Sequence, residues 1–307
     1  MESPHQPTPS LTYRPATPHD WLAIAPWVER TWGDHGDYID GHVWQDWLAD
    51  PSGQLIMAEH DHQPVAFCRL VRLGEAEWWL EGVRVEPARR GRGIGRAMLS
   101  YAVTTFRARA HGILRFFTSN TNPAMIRLGE GAGFRHRLSY AQMTAPAQPA
   151  DFSSFKLLQP HNLDLAWSTL RVMPVYRVDP FAEHHFVAYY LTRDRLSHYL
   201  SDPAVQVLGW RQFDALHGLS ILYLAGEASH DEEEANALQL GFLAATDDTT
   251  AAAMLIALRG LAANRQHDRV MWKMPLSVGL ERVIQDTGFQ AAWEQGEELW
   301  LYELPLR

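Results

Sequence analysis

A single cysteine, Cys68, stands among the 307 residues, so no disulfide forms within the chain. It lies in a strand-like run, Val65-Ala66-Phe67-Cys68-Arg69-Leu70, and reads as a small packed residue. No apolar run approaches a membrane span, and the first ten residues hold three prolines without a signal-peptide core. A basic surplus is missing as well. Lys+Arg number 27 against 36 Asp+Glu, a net charge of −9. Residues 1–150 hold 15 Arg and 15 Asp+Glu and are neutral, while residues 151–307 hold 12 Lys+Arg and 21 Asp+Glu. Neither half offers the basic face that nucleic-acid phosphates need. Metal ligands are sparse too. His60 and His62 occupy a polar hairpin tip without a third ligand, and the neighbours His184-His185 would point apart on a strand. The run Asp231-Glu232-Glu233-Glu234 reads as a solvated loop. What remains is an ordinary globular composition, 46% hydrophobic, long enough for two domains.

What is present centres on Arg89-Arg90-Gly91-Arg92-Gly93-Ile94-Gly95-Arg96. An apolar strand-like run, Trp78 to Val85, precedes it, and helical spacing follows from Ala97 to Val103. Strand, glycine-rich loop and helix start together suit a phosphate. Glycines let the backbone approach, and the helix start presents unpaired N–H groups and the positive dipole end. Two other phosphate loops are excluded. A dinucleotide loop would place its third glycine on Arg96 and needs a carboxylate further on, which Ile113 to Phe117 lacks. A triphosphate loop needs G-K-[ST], and no lysine is near.

The pattern R-x-x-G-x-G, as Arg90, Gly93 and Gly95, resembles the acyl-CoA pyrophosphate loop of the GNAT N-acetyltransferase superfamily. The resemblance continues in Asn122-Pro123, which would open a short helix ending at Gly133-Phe134, and it covers about residues 11–146. The elements agree with it. Leu11–Arg14 reads as a strand, and Thr17-Pro18 opens a helix to about Trp32. Asp37 starts a second helix, and Gln54–Glu59 with Val65–Leu73 form a hairpin. Glu77–Glu86 is the fourth strand, the long helix runs to about Ala110, and Ile113–Ser119 and Phe134–Met143 are strands.

The same order recurs. Ala97-Met98-Leu99 returns as Ala253-Met254-Leu255, and Gly133-Phe134 as Gly288-Phe289, at offsets of 156 and 155. Leu238–Ala245 and Thr249–Asn264 become the fourth strand and long helix of a second copy. At the 156 offset the glycine loop is replaced by Thr246-Asp247-Asp248-Thr249-Thr250-Ala251, so this copy lacks the phosphate site. The expected fold is therefore α/β (α+β), two tandem GNAT domains, each a mixed, mostly antiparallel twisted sheet flanked by helices. The expected layout is a disordered tail over 1–10, a catalytic domain over 11–146, a linker over 147–154 and a degenerate copy over 155–307.

The resemblance implies an acetyl-CoA-dependent N-acetyltransferase in the first half, with no metal. It implies backbone contacts from Val83 to the thioester carbonyl and from Val85 to the pantetheine arm. Arg90, Gly91, Arg92, Gly93, Ile94, Gly95 and Arg96 would hold the pyrophosphate, with Asn122 as the family's fifth-strand asparagine. Glu81, on the strand face of Val83, is the implied general base; its other reading is a solvent-facing strand residue. The family's acid is a tyrosine at the position of Gly129, where no side chain exists. Tyr140 could reach from the next strand but reads better as a core residue. Trp32, Asp34, Asp37 and Tyr38 border the acceptor side and suit a small, possibly cationic amine; equally, Asp37 caps a helix and the aromatics pack. A non-catalytic acyl-CoA sensor and a protein-lysine acetyltransferase stay open as alternatives, and a cytoplasmic setting is expected from the lone cysteine and the acetyl-CoA.

Overall fold

A computed structural model describes residues 10–31, 36–109, 111–224, 236–280, 283–284, 286–294 and 296–305. Residues 1–9 of the expected tail, Trp32, Asp34 and the acidic run Asp231–Glu234 lie outside the described residues. Contacts divide the chain into two units: Met1–Thr118, Asn122–Arg137 and Leu301–Arg307 form one, and Ser119–Thr121 with Leu138–Trp300 the other.

The first unit begins with β1 (Thr12–Pro15), α1 (Asp20–Val28) and α2 (Gly41–Ala49). Helix α1 starts later than Thr17, because the Asp20 carboxylate accepts hydrogen bonds from Thr17 N at 2.6 Å and Thr17 Oγ1 at 2.9 Å. The start of α2 is a correction too. Asp40, not Asp37, caps it, accepting from His42 N and Val43 N at 2.8 Å each. Strands β2 (Gly53–His60) and β3 (Gln63–Gly74) then pair around Asp61-His62, whose φ values of 51° and 61° make the mirror-image turn that matches strand twist. After β4 (Glu77–Val85) come α3 (Ile94–Arg109), β5 (Ile113–Ser119) and α4 (Pro123–Gly131). Met98, Leu99, Ala102, Val103 and Phe106 form the buried stripe of α3.

The second unit takes in most of β6 (Arg135–Pro146), then β7 (Phe155–Leu157), α5 (Leu163–Leu170), α6 (Pro174–Val178) and the hairpin β8 (Phe181–His184) with β9 (Val187–Tyr190). It continues through α7 (Arg193–Tyr199), β10 (Val205–Gln212), β11 (Ala215–Tyr223) and β12 (Ala237–Ala245). It closes with α8 (Asp248–Asn264), β13 (Arg269–Pro275) and the short β14 (Gln290–Ala291), before β15 (Leu299–Pro305). Strand β12 and helix α8 fall where the repeat places them. Residues 147–154 are held inside this unit: Ala147 N donates to Asp268 O, and a Cβ on Gly260 would come within 2.4 Å of Ala150 O.

Each unit has a mostly antiparallel sheet. The orders are β1-β2-β3-β4-β5-β15 and β6-β13-β12-β11-β10-β7. The pairs β4–β5 and β12–β13 run parallel, each spanned by the long helix of its unit. The units do not follow chain order at their last strands. Residues 301–305 of β15 belong to the first unit, where Tyr302 stacks on Phe116 at 5.2 Å and Glu303 accepts from Arg115 at 3.2 Å. Residues 138–146 of β6 belong to the second, where Met143 and Ala145 join its core. Among the described residues no helix is long and apolar enough to cross a membrane.

Candidate active site

The parallel ladder of the first unit is short. Trp79↔Arg115 is its last pair, while β4 continues to Val85 and β5 to Ser119. The buried Arg115 holds the paired end together, donating to Glu77 at 3.0 Å as well as to Glu303. Beyond it the strands part, and the edge of β4 is open to an extended chain. There β4 also bulges. Phe67 faces Arg84 and Arg69 faces Glu81, so β4 carries one residue more than β3 between those pairs. Gly82 sits in the bulge with φ 62°, and a Cβ there would meet the Trp47 ring at 2.5 Å. Glycine is required on both counts.

Glu81 stands beside this bulge. Arg69 Nη1 donates to it at 2.5 Å, and the same guanidinium pairs with Asp50 and lies 5.3 Å from the centre of the Trp47 ring. Burial pushes the Glu81 carboxyl above its ordinary pKa, opposed by Arg69 and reinforced by Asp50. It is neither a free solvent-facing residue nor an unpartnered base.

The glycine loop leads from a short turn, Pro87–Arg89, into α3. Gly91 and Gly93 have φ of 79° and 81°, and nothing lies within 4 Å of where a Gly91 Cβ would be. Gly95 has a different reason, since a Cβ would press on Leu128 at 3.2 Å. The first helical bond is Ala97 N to Gly93 O, at 3.0 Å. The amides of the preceding turn are those a helix leaves for an outside acceptor. The arginines differ among themselves. Arg89 pairs with Glu86 at 2.7 Å and faces His60 Nδ1 at 3.2 Å. Arg90 donates to Val85 O and Thr31 O at 3.3 and 3.4 Å. Arg92 and Arg96 are exposed, Ile94 is buried, and Val83 and Val85 are half-buried on β4.

Asn122 caps α4 by accepting from Met125 N at 3.1 Å. Gly129 is packed so that a Cβ would fall 2.7 Å from the Phe116 ring, which explains why no side chain stands there. Tyr140 donates to the buried Asp179 at 3.1 Å within the second unit, a core role. Both carboxylate oxygens of Asp37 accept from Arg84, at 2.7 and 2.9 Å, and its side chain is fully buried. Tyr38 lies over Arg84 at 5.4 Å and meets the Trp47 ring edge-on at 6.4 Å. Sequence reasoning missed Gly82, Arg69 and Arg84. A glycine inside a strand was a signal for the first, and charged residues inside apolar runs for the others.

The second unit repeats the frame without the loop. Its ladder ends at Leu240↔Trp272, and β12 bulges at Gly241, since Ile221 faces Phe242 while Leu222 faces Leu240. Only Thr246-Asp247 joins β12 to α8, against Glu86–Gly93 in the first unit. The constant-offset alignment is thus corrected: the loop is shortened, not merely rewritten. Asp247 caps α8, accepting from Thr250 N at 2.8 Å, and that bond holds its carboxyl below the usual range. His184 and His185 do not point apart, because His185 is in a turn with φ 47° and the rings are 4.0 Å apart. Among the described residues no group of three or more His, Cys, Asp or Glu is placed to hold a metal.

Residues 21–134 match the model of the acetyltransferase (GNAT) family. No curated protein matches the chain. Solved structures do. A GCN5-related N-acetyltransferase from Sphaerobacter thermophilus superposes with a TM-score of 0.64 at 15% identity, over 96% of this chain and 95% of its own. A putative acetyltransferase from Thermoplasma acidophilum gives 0.58 at 16%, over 96% and 100%. A tandem GNAT protein of the clavulanic acid biosynthesis pathway gives 0.57 at 14%, over 96% and 98%. At these identities the likeness is one of fold, and the fold it gives the whole chain is the tandem GNAT fold.

Proposed function

Residues 21–134 being a domain of the acetyltransferase (GNAT) family, we propose that the first unit moves the acetyl group of acetyl-CoA directly to a small primary amine in a ternary complex. The observation that carries this reading is the opening between β4 and β5, with the Gly82 bulge at its apex and the glycine loop at its far end. The donor supplies an activated thioester. This chain's residues fit it. The open edge of β4 at Val83 and Val85 suits an extended pantetheine arm, and the turn from Gly91 to Arg96 suits a pyrophosphate. Exposed Arg92 and Arg96 add charge of the right sign.

Glu81 takes a proton from the acceptor ammonium, directly or through water, and burial raises its pKa, the direction that makes its carboxylate a stronger base. The freed amine forms the C–N bond as the C–S bond breaks, and the proton the new amide nitrogen gives up goes to the departing thiolate, which leaves as the thiol. A thiol pKa of ~8.5 makes that departure feasible without the family tyrosine. The acceptor meets Tyr38 and Trp47. The negative charge of Asp37 is already matched by Arg84, so a cationic acceptor would rest on aromatic faces. A cytoplasmic setting, where acetyl-CoA is available, goes with this reading. The packing of Gly129 on Phe116 favours a second reading, a non-catalytic acyl-CoA sensor. Thiol release from acetyl-CoA, measured against polyamines, aminoglycosides, amino acids and lysine peptides, separates the two. Turnover with a small amine supports the enzyme, turnover with peptides alone makes it a protein-lysine acetyltransferase, and binding without turnover makes it a sensor.

A further inference from the structure

The neutral total of residues 1–150 is made of two opposed blocks. Residues 16–61, which carry α1 and α2, hold nine Asp+Glu against a single Arg, Arg30, and no Lys. Residues 87–137, which carry the glycine loop, α3 and α4, hold ten Arg against a single acid, Glu130. The helices of the two blocks cover opposite faces of the first sheet. Helices α1 and α2 pack on Leu55, Met57 and Phe67. Tyr101 of α3 stacks at 3.9 Å on Tyr13, which pairs with Ala58. Ala58 follows Met57 along β2 and so faces the other way. Helix α4 lies on the α3 side, since a Cβ on Gly95 would come within 3.2 Å of Leu128.

Arg92, Arg96, Arg107 and Arg127 are exposed on the basic side. The ion pairs of this block lie elsewhere, Arg89 with Glu86, Arg115 with Glu77 and Glu303, and Arg137 with Glu303. Among the described residues no carboxylate pairs with Arg92, Arg107 or Arg127. Nor do these charges serve the helix. The first turn of α3 holds no acid and carries Arg96, the sign that a helix dipole disfavours at its start. Helix α8 has Asp248 in the same turn. From Arg96 to Arg107 the chain advances about 16 Å along the helix, far past the turn that suits a pyrophosphate. Among the described residues α3 and α4 expose no large apolar side chain, so the face offers charge without the buried anchor that a protein partner needs.

We propose that the α3–α4 face is a steering surface for a small polyanionic ligand, guiding the phosphate-bearing donor to the glycine loop from this side of the sheet. This presupposes that acetyl-CoA is the donor, as proposed for the first unit. A surface potential of one sign beside a binding site concentrates the oppositely charged ligand there and speeds its association. On the opposite face, the exposed Glu29 and Asp46 turn the same ligand away. Arg107 and Arg127 lie outside the loop and act at a distance, so their charge governs how fast the donor arrives. Charges at the rim of a site change association and its salt dependence far more than dissociation.

Stopped-flow fluorescence of the full chain with acetyl-CoA tests this, from about 10 mM to about 1 M NaCl, where the screening length falls from about 30 to about 3 Å. The association rate of the parent should fall by ~10-fold or more across that range. At the lowest salt Arg107→Gln/Arg127→Gln should associate more slowly by about 2- to 5-fold, and Arg107→Glu/Arg127→Glu more slowly still. Dissociation should be unchanged in both variants, and all three proteins should converge at the highest salt. Both positions are exposed, and circular dichroism should match the parent. A parent-like association rate in the Glu variant at low salt would overturn the assignment, as would a deficit that persists at high salt or falls on dissociation alone. If the parent does not bind acetyl-CoA at any salt, the donor reading itself fails and the steering role falls with it.

Discussion

Two helix starts, α3 and α8, occupy the same place in two copies of one fold and meet their unpaired amides in opposite ways. Before α3 the chain makes a long loop with Gly91 and Gly93 at positive φ, and its backbone stays approachable. Before α8 the link shrinks to Thr246-Asp247, and Asp247 turns its own carboxylate onto Thr250 N. One helix start suits an external anion, and the other carries its anion in the sequence. The parted strands and the glycine bulge survive in both units. The two frames therefore differ most at the link before the helix, where an approachable glycine loop in one is a two-residue cap in the other.

The comparison breaks most severely if the first unit loses its last strand. Truncation after Glu298 removes buried Leu301, Tyr302 and Leu304. Each buried leucine is worth about 1.5–3 kcal/mol, and the Arg115–Glu303 pair goes too. Circular dichroism and hydrogen exchange should find the first unit unfolded, and a native-like exchange pattern there would refute the shared-strand account. Next in size is Glu81→Gln. It keeps the hydrogen bond to Arg69 but cannot take a proton, so kcat/KM should fall by ~10²-fold or more while acetyl-CoA affinity barely moves. A variant as active as the parent from pH 6 to 9 would give the proton to another group.

Arg69→Met sharpens the site's electrostatics. In the proposed role Glu81 acts only when ionised, so activity should be lost as pH falls through its folded pKa. Burial raises that pKa and Arg69 opposes the rise. Removing Arg69 should shift the acid limb of the kcat/KM profile to higher pH, and an unshifted limb would free Glu81 of this control. The smallest effect falls on the second copy. Asp247→Ala removes a helix cap and should lower stability by about 1 kcal/mol, seen in the urea midpoint, without creating acetyl-CoA binding. A second acetyl-CoA site in that variant would mean that the carboxylate alone closed it.

Much of this was legible in the chain. The glycine loop stood out because φ above zero and close approach leave glycine almost alone among residues. Helix α8 and strand β12 were found because Met254 and Leu255 repeat the buried stripe of α3. What stayed hidden depends on partners far apart in sequence. Asp37 resembles a helix cap until Arg84, on a different element, claims it. Glu81 resembles a free base until Arg69 is seen beside it. The exchange of β6 and β15 leaves no local trace, since either strand carries an apolar pattern that suits either sheet. Constant-offset alignment also hides a length change, and so it read the shortened link at Asp247 as a substituted loop.

The central claim, one donor site per chain and that site in the first unit, is tested most directly by titrating acetyl-CoA into the full chain by calorimetry. The account predicts a stoichiometry near one, abolished by Gly93→Asp in a protein that still folds. The new side chain takes the space the backbone needs at φ 81° and sets a like charge against the phosphates, a repulsion of ~1–4 kcal/mol at about 4 Å. A stoichiometry of two, or a single site that survives Gly93→Asp, would contradict it.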